Sequence, residues 1–130
     1  MTVQATDITA GTVNCMQLAD GKLVQLSGHV GQTELPALRL ALLAPLFAGC
    51  RDVIIDAGEV VAVTDEAIAV VVAAEEWATY AGARLLLSRA TPAFEQALTD
   101  LGFAHGIRRL SDLGKDDPRP VLVPLPSPRD

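Results

Sequence analysis

Residues 52–87 read DVIIDAGEVVAVTDEAIAVVVAAEEWATYAGARLLL, and the change of hydrophobic period inside this stretch decides the fold. Val53 to Ile55 is an unbroken β-branched run bounded by charge and glycine, the pattern of a central strand covered on both faces. Asp56 is expected at the carboxyl end of that strand, followed by a short connection from Glu59 to Val63. From about Asp65 to Tyr80 the apolar residues follow a helical period, and Ala81-Gly82 closes it with a residue suited to the left-handed conformation that ends helices. Arg84 to Ser88 then supplies another short buried strand. Strand, helix and strand in this order imply parallel pairing with a helical crossover.

Upstream, Val13 to Leu18 and Lys22 to Ser27 are two short runs separated by Ala19-Asp20-Gly21. Asp20-Gly21 offers the positive φ of a tight reversal, so a β-hairpin is expected. In the second run Leu23, Gln25 and Ser27 alternate with Val24 and Leu26, leaving one face solvated or lightly covered, and Gly28 is expected to end the strand. Thr33 is placed to cap a helix whose first turn holds Glu34 and Pro36. Leu35, Leu38, Leu42 and Leu46 form its core stripe, Leu43 and Phe47 widen it, and Pro45 should kink or shorten the last turn.

Downstream, Thr91-Pro92 opens a helix through Leu101 that ends at Gly102, and Ile107 to Leu110 makes an edge strand or a helical turn. From Gly114 onward GKDDPRPVLVPLPSPRD cannot hold a helix, so an extended, mobile tail is expected. The order ββαβαβα, with a further strand at the end, gives an α/β fold: a mixed four- to five-stranded sheet with helices packed on it. One domain is expected over residues 1–112, with a Pro-rich flexible tail over 113–130.

The totals narrow the function. A chain of 130 residues, half of them apolar, suffices for one core and is too short for two. The formal charge of -6 argues against a nucleic-acid partner, since the nearest thing to a basic cluster is Arg108-Arg109. The apolar run Ile68 to Ala74 falls far short of the roughly 20 residues of a membrane-spanning helix, so no membrane insertion is expected. MTVQATDITA lacks the basic start and apolar centre of a secretory signal, so a cytoplasmic location is expected. Cys15 and Cys50 stand far apart with no metal-ligand spacing, so neither metal nor cofactor is expected; each reads as a small buried or half-buried hydrophobe, with a redox pairing left open.

No phosphate loop, dinucleotide fingerprint, zinc motif or nucleophile elbow occurs in the chain, so no catalytic residue is expected. His29 and His105 read as surface histidines. Asp65 and Glu66 lie side by side at an exposed helix start, which does not give the two carboxylates the unlike environments that acid-base work requires.

LVQLSGHVGQTELPALRLAL, DVIIDAGEVVAVTDEAIAVVVAAEEWATYAGARLLL and TPAFEQALTDLGFAHGIRRL together resemble the STAS domain of bacterial anti-sigma factor antagonists. The likeness spans about Val13 to Leu110 and includes Gly28, Asp56, Gly82, Pro92 and Gly102 in order. In that family the loop after the third strand reads Asp-Ser-Ser-Gly or Asp-Ser-Thr-Gly, and its first serine is the phosphorylation switch. The resemblance places Thr64 at the family aspartate, Asp65 at the switch serine, Glu66 at the next hydroxyl and Ala67 at the glycine.

The resemblance implies a non-enzymatic regulator that binds an anti-sigma factor of the serine-kinase type. The contacts it implies are Gly28, His29, Gln32 and Thr33, with Thr64, Asp65, Glu66, Ala69 and Ala73 from the second helix and its start. Asp65 then marks a degenerate switch. A phosphoserine carries about -1.5 to -2 charge, so Asp65 with Glu66 approximates the modified state in charge but not in geometry. The same three residues also suit a simpler purpose, because a Thr64 cap and two acids satisfy free amides and the helix dipole at about 0.3–1 kcal/mol per charge. The two readings can coexist.

On the second helix Ala67, Ile68, Val71, Val72, Ala74 and Ala78 should face the core. Glu66, Ala69, Ala73, Glu76 and Tyr80 share the other side, which is either a docking surface of small residues or a solvated face. An accessory STAS subunit of a larger regulatory or transporter complex is the alternative function, and a small-ligand binder, lacking a phosphate loop, is a weaker third. Pairing into a homodimer and modification of Thr64 by a kinase stay open.

Overall fold

In the computed structural model, which describes residues 11–19, 21–103 and 106–113, the strand beginning at Asp52 runs on to Val63. The elements in chain order are β1 (Thr12–Gln17), β2 (Gly21–Val30), α1 (Leu35–Phe47), β3 (Asp52–Val63), α2 (Asp65–Ala81), β4 (Arg84–Ala90), α3 (Pro92–Asp100) and β5 (Arg108–Arg109). Short 3-10 turns occupy Gln32–Glu34 and Leu110–Asp112. Asp56 therefore lies inside β3 and not at its end. Glu59 to Val63 read as a connection, yet β3 bulges after Asp56, and Glu59, Val60, Ala62 and Val63 go on pairing with Ser27, Gly28, His29 and Val30.

The five strands lie in sequential order, β1 antiparallel to β2 and the remaining pairs parallel. Each parallel step is crossed by one helix. Because the strand order advances one way across the sheet, crossovers of one hand set all three helices on the same face. Val24, Leu26, Val53, Ile55, Leu85 and Leu87 meet Leu38, Leu42, Ile68, Val71, Phe94 and Leu98 there, forming the main core. On the opposite face Leu18, Ile54 and Leu86 form a smaller cluster closed by Leu113. The Val53–Ile55 run is thus covered on both sides, as its unbroken apolar pattern required.

Several local expectations are corrected. The hairpin forms, with Leu18 N–H donating to the Gly21 carbonyl at 2.9 Å, but Gly21 is a strand residue without a positive φ. It is glycine because a Cβ would stand 2.1 Å from the Asp52 carbonyl oxygen on β3. Asp20, His105 and the sequence from Gly114 lie outside the described residues. Gly28 does not end β2; with φ 71° it sits where the register with β3 shifts, and the strand continues to Val30. Pro45 is tolerated because α1 ends only two residues later, where Cys50 N–H returns to the Pro45 carbonyl and Gly49 takes φ 91°. Phe47 leaves the core stripe and is 64% exposed. On α2 Val70 is buried and Val72 only partly so, because a helix flanked by α1 and α3 as well as the sheet buries a wider arc. Cys15 is exposed on β1 and Cys50 half-buried, both free. Ile107 to Leu110 leads through β5 into a 3-10 turn, so both expected forms occur in succession.

Among the described residues Asp52 is the one buried charge. Its carboxylate receives Arg84 Nε at 2.8 Å and an Arg84 terminal nitrogen at 3.1 Å, tying the first residues of β3 and β4 together. Arg84→Met should strand that carboxylate and lower stability by about 2–4 kcal/mol, read as a lowered urea midpoint at unchanged slope. A loss below about 1 kcal/mol would mean that water replaces the arginine at no real cost.

Candidate partner-binding site

β2 and β3 end together, with Val30 opposite Val63, and the chain leaves both strands on the same side of the sheet. The Thr64 amide donates to the Val30 carbonyl at 3.1 Å, holding the two exits side by side. Beyond Val30, Gly31 turns the chain. Its amide donates to the Glu34 carboxylate at 2.8 Å while the Glu34 amide donates back to its carbonyl at 3.0 Å. Glu34 therefore stabilises the approach to α1, and Thr33 makes no cap bond there. The signal was a Gly-x-x-Glu spacing, a capping box with glycine in the hydroxyl position.

Beyond Val63, Thr64 takes an extended backbone and its hydroxyl oxygen accepts the Ala67 amide at 3.2 Å, the N-cap expected from sequence. Asp65 and Glu66 follow in the first turn, both exposed. Neither makes a hydrogen bond or ion pair among the described residues.

Between the exits lies an open hollow of about 400 Å³ lined by His29 to Glu34 and by Ala62, Val63 and Thr64. It occupies the region beyond the carboxyl ends of parallel strands, where α/β sheets place their binding crevices. The fold thus gathers His29, Gln32, Thr33 and Thr64 from segments some thirty residues apart. Glu34, Ala62 and Val63 complete the lining; Glu34 was read only as a helix-start residue and the other two as connection. Asp65 and Glu66 stand beside the hollow without lining it. Gly28 is a register-shift residue on β2 and not part of it. Ala69 and Ala73 are exposed on the outer side of α2, and Ala73 belongs to a separate shallow hollow with Glu76, Trp77 and Tyr80. Among the described residues the lining carries the carboxylate of Glu34 and no Lys or Arg. Together with Asp65 and Glu66 it makes an acidic, shallow surface suited to a protein face more than to an enclosed small molecule.

Asp56 lies apart from this hollow, on β3 opposite Arg89 of β4. Arg89 grips it with two hydrogen bonds of 3.0 Å, and the Gly58 amide adds a third at 3.0 Å. Burial alone would raise the Asp56 pKa, but the Arg89 and Gly58 hydrogen bonds and the charge of Arg89 bring it below its ordinary value. A Cβ at Gly58 would stand 2.7 Å from the guanidinium carbon, so a side chain there would push Arg89 out of this position. The arrangement is a cross-strand staple at the bulge. On α2, burial raises the Glu75 pKa, partly offset by a hydrogen bond from the Thr79 hydroxyl at 3.2 Å.

No group of three His, Cys, Asp or Glu capable of holding a metal ion occurs among the described residues, and none of their helices is long and apolar enough to cross a membrane.

Residues 16–113 match the family model described as "Mlab, STAS domain". No curated protein matches the chain in sequence. Among solved structures, an anti-sigma factor antagonist from Mycobacterium paratuberculosis superposes with a TM-score of 0.69 at 16% identity, covering 81% of this chain and 89% of that one. The antagonist SpoIIAA in its unphosphorylated form gives 0.66 at 11% identity, over 75% and 87% of the two chains. The phosphorylated form of SpoIIAA, a Bacillus cell fate determinant, gives 0.62 at 11% identity, over 75% and 90%. At these identities the likeness is one of fold.

Two measurements probe the local chemistry. Thr64→Ala should cost about 1 kcal/mol of stability and Thr64→Ser little, since only the hydroxyl caps Ala67. For Asp56 the folded pKa lies below the unfolded one, so its stabilisation is present above the ordinary carboxylate range and is lost as pH falls through the depressed value. Thermal unfolding followed from neutral to acid pH should therefore fall more steeply for the wild type than for Asp56→Asn; parallel curves would show that the Arg89 contact is screened by solvent.

Proposed function

The chain belongs to the STAS-domain family, and we propose that it acts as an antagonist of an anti-sigma factor, binding that partner through the acidic surface at the start of α2. The family consists of non-enzymatic regulatory modules. The observation that carries the reading is the convergence at one point of the β2 exit, the β3 exit and the first turn of α2, with Asp65 and Glu66 exposed where the family carries hydroxyls. His29, Gln32 and Thr33 form one wall of the contact, Thr64 the floor, and Asp65 the central group. Ala69 and Ala73 extend it along α2, where small side chains let a partner backbone come close. Gly28 contributes only by shaping β2. The partner is an anti-sigma factor of the serine-kinase type, or one whose surface accepts an acid at the switch position.

Thr64 already accepts the amide that most needs a partner, so the negative charge at residues 65 and 66 is free to act on recognition. A switch hydroxyl is absent, and regulation by a kinase acting on residue 65 is lost with it. The second reading, an accessory STAS subunit in a larger regulatory or transporter assembly, is favoured by the family model that matches, which is described by Mlab and not by an antagonist.

Immobilised wild type and Asp65→Ser/Glu66→Ser, each exposed to native lysate, separate these readings when the retained proteins are identified by mass spectrometry. Wild type should retain a serine-kinase-type anti-sigma factor and the double variant should retain it at least ten-fold less, a difference of about 1.4 kcal/mol. Equal retention would remove the acids from recognition; retention by the serine variant alone would make them a permanent off state. Recovery of a membrane ATPase or a large scaffold instead would favour the accessory-subunit reading.

A further inference from the structure

α1 reads LPALRLALLAPLF, with Arg39 its one polar side chain in 13 residues. Leu38, Leu42 and Leu46 face the core, yet Pro36, Leu40, Ala44 and Phe47 recur at helical spacing on the outer side and are apolar too. Leu40 is 68% exposed and Phe47 64%. A helix that is apolar all round is one that is covered all round. The last turns of α2 continue this surface, since Trp77 and Tyr80 are 44% and 85% exposed. The Phe47 and Trp77 rings lie 5.1 Å apart, and the Trp77 and Tyr80 rings 5.8 Å apart. Two shallow hollows flank the rings. One of about 440 Å³ lies between Leu40, Leu43 and Phe47, and one of about 360 Å³ lies where Ala73 and Glu76 meet Trp77 and Tyr80.

Area and charge together select the occupant. At side-chain areas of roughly 150–250 Å², Leu40, Phe47, Trp77 and Tyr80 leave about 500 Å² of mostly apolar surface open, near the upper end of a monomer's largest patch. The exposed Pro36, Arg39, Ala44, Ala73 and Glu76 bring the face toward the about 800 Å² that each partner gives to a stable interface. Each hollow is lined by one charged residue, Arg39 in the first and Glu76 in the second, and the two are of opposite sign. Neither makes a hydrogen bond or ion pair among the described residues.

The spacing of these two charges makes the face complementary to itself. α1 and α2 each return against the parallel strands they connect, so they run the same way, and the Phe47–Trp77 contact sets their last turns level. Glu76 is then level with Leu46, and at about 1.5 Å per residue Arg39 lies about 10 Å away along the helix axes. That is too far for the two to pair within one molecule. Turning a second copy end for end, about a two-fold axis level with Leu43, brings Arg39 of each copy to Glu76 of the other. The same turn sets Tyr80 against Pro36 and Leu40 beside Phe47. A patch that matches itself under a two-fold axis is what an isologous dimer requires.

We propose that this face joins two copies of the chain in a two-fold dimer, with α1 packed end for end against α1 and Arg39 of each copy paired with Glu76 of the other. The face meets the candidate partner surface only at Ala73, and the proposal does not rest on the regulatory reading.

Sedimentation equilibrium of the full chain from about 1 to about 100 µM should show monomers in exchange with dimers. Arg39→Glu alone and Glu76→Arg alone should each weaken the dimer about ten-fold or more, because each sets like charges together at two symmetric contacts. The combined Arg39→Glu/Glu76→Arg should return it to within about three-fold of the wild type. Leu40→Glu, at an exposed side chain, should also weaken it about ten-fold or more while its circular dichroism stays that of the wild type. A dimer that Leu40→Glu leaves intact, or a loss that the charge swap does not restore, would overturn the proposal. A monomer at every concentration would overturn it too, and acrylamide quenching of Trp77, the sole tryptophan, then identifies the cover. An open indole leaves the face to a different protein; a shielded one assigns it to another part of the same chain.

Discussion

Everything in this fold depends on the parallel pairing of β2 with β3, which begins at Gly21 and Asp52 and continues to Val30 and Val63. The pairing is close enough at its start that only glycine fits at position 21, and at its finish the Thr64 amide is bound to the Val30 carbonyl. Between these points β3 accommodates extra residues by bulging. The bulge supplies the geometry in which the Gly58 amide turns to the Asp56 carboxylate and Arg89 stacks over Gly58. Core packing then follows from alternation: one set of side chains meets the three helices, and the other meets the Leu18 and Leu113 cluster.

That same pairing makes the candidate site. Two strands of equal reach deliver two helix starts to one place, so a hollow between them requires no dedicated loop. Glu34 and Thr64 fix its two sides by different means, one with a carboxylate closing a turn and the other with a hydroxyl capping a helix. A rigid surface built from strand ends and helix starts costs little entropy when a partner docks, which is what a regulatory module of this size can offer.

Much of this was legible in sequence where a signal is local. α2 announces itself by Thr64, two acids, an apolar period and Gly82, and the structure places each of these as cap, first turn, core face and left-handed end. The length of β3 was not legible, because Gly58 and Glu59 interrupt a strand in sequence without interrupting its pairing in space. Phe47 matched the spacing of a core stripe, yet spacing cannot tell that Trp77 of another helix waits on the outer side. The pairs Asp52 with Arg84 and Asp56 with Arg89 join residues more than thirty positions apart, and no periodicity points from one to the other. At the candidate site the Thr64 cap was evident, whereas Glu34 was hidden behind Thr33, the more obvious hydroxyl.

The two acids at the start of α2 can now be weighed more closely than sequence allowed. Had Asp65 or Glu66 accepted a helix amide, an acid at that position would have an ample structural reason. Instead Thr64 fills that role, and the acids are exposed with no bonded partner among the described residues. What remains for stability is the dipole effect, about 0.3–1 kcal/mol per charge and weakened further by salt. Against a folded protein's usual margin of about 5–15 kcal/mol this is a small contribution, and a serine at either position would leave the Thr64 cap intact. A charge that matters little to the fold, held on a rigid helix start beside a hollow with no Lys or Arg among its described lining residues, exerts its main electrostatic influence on whatever approaches from outside.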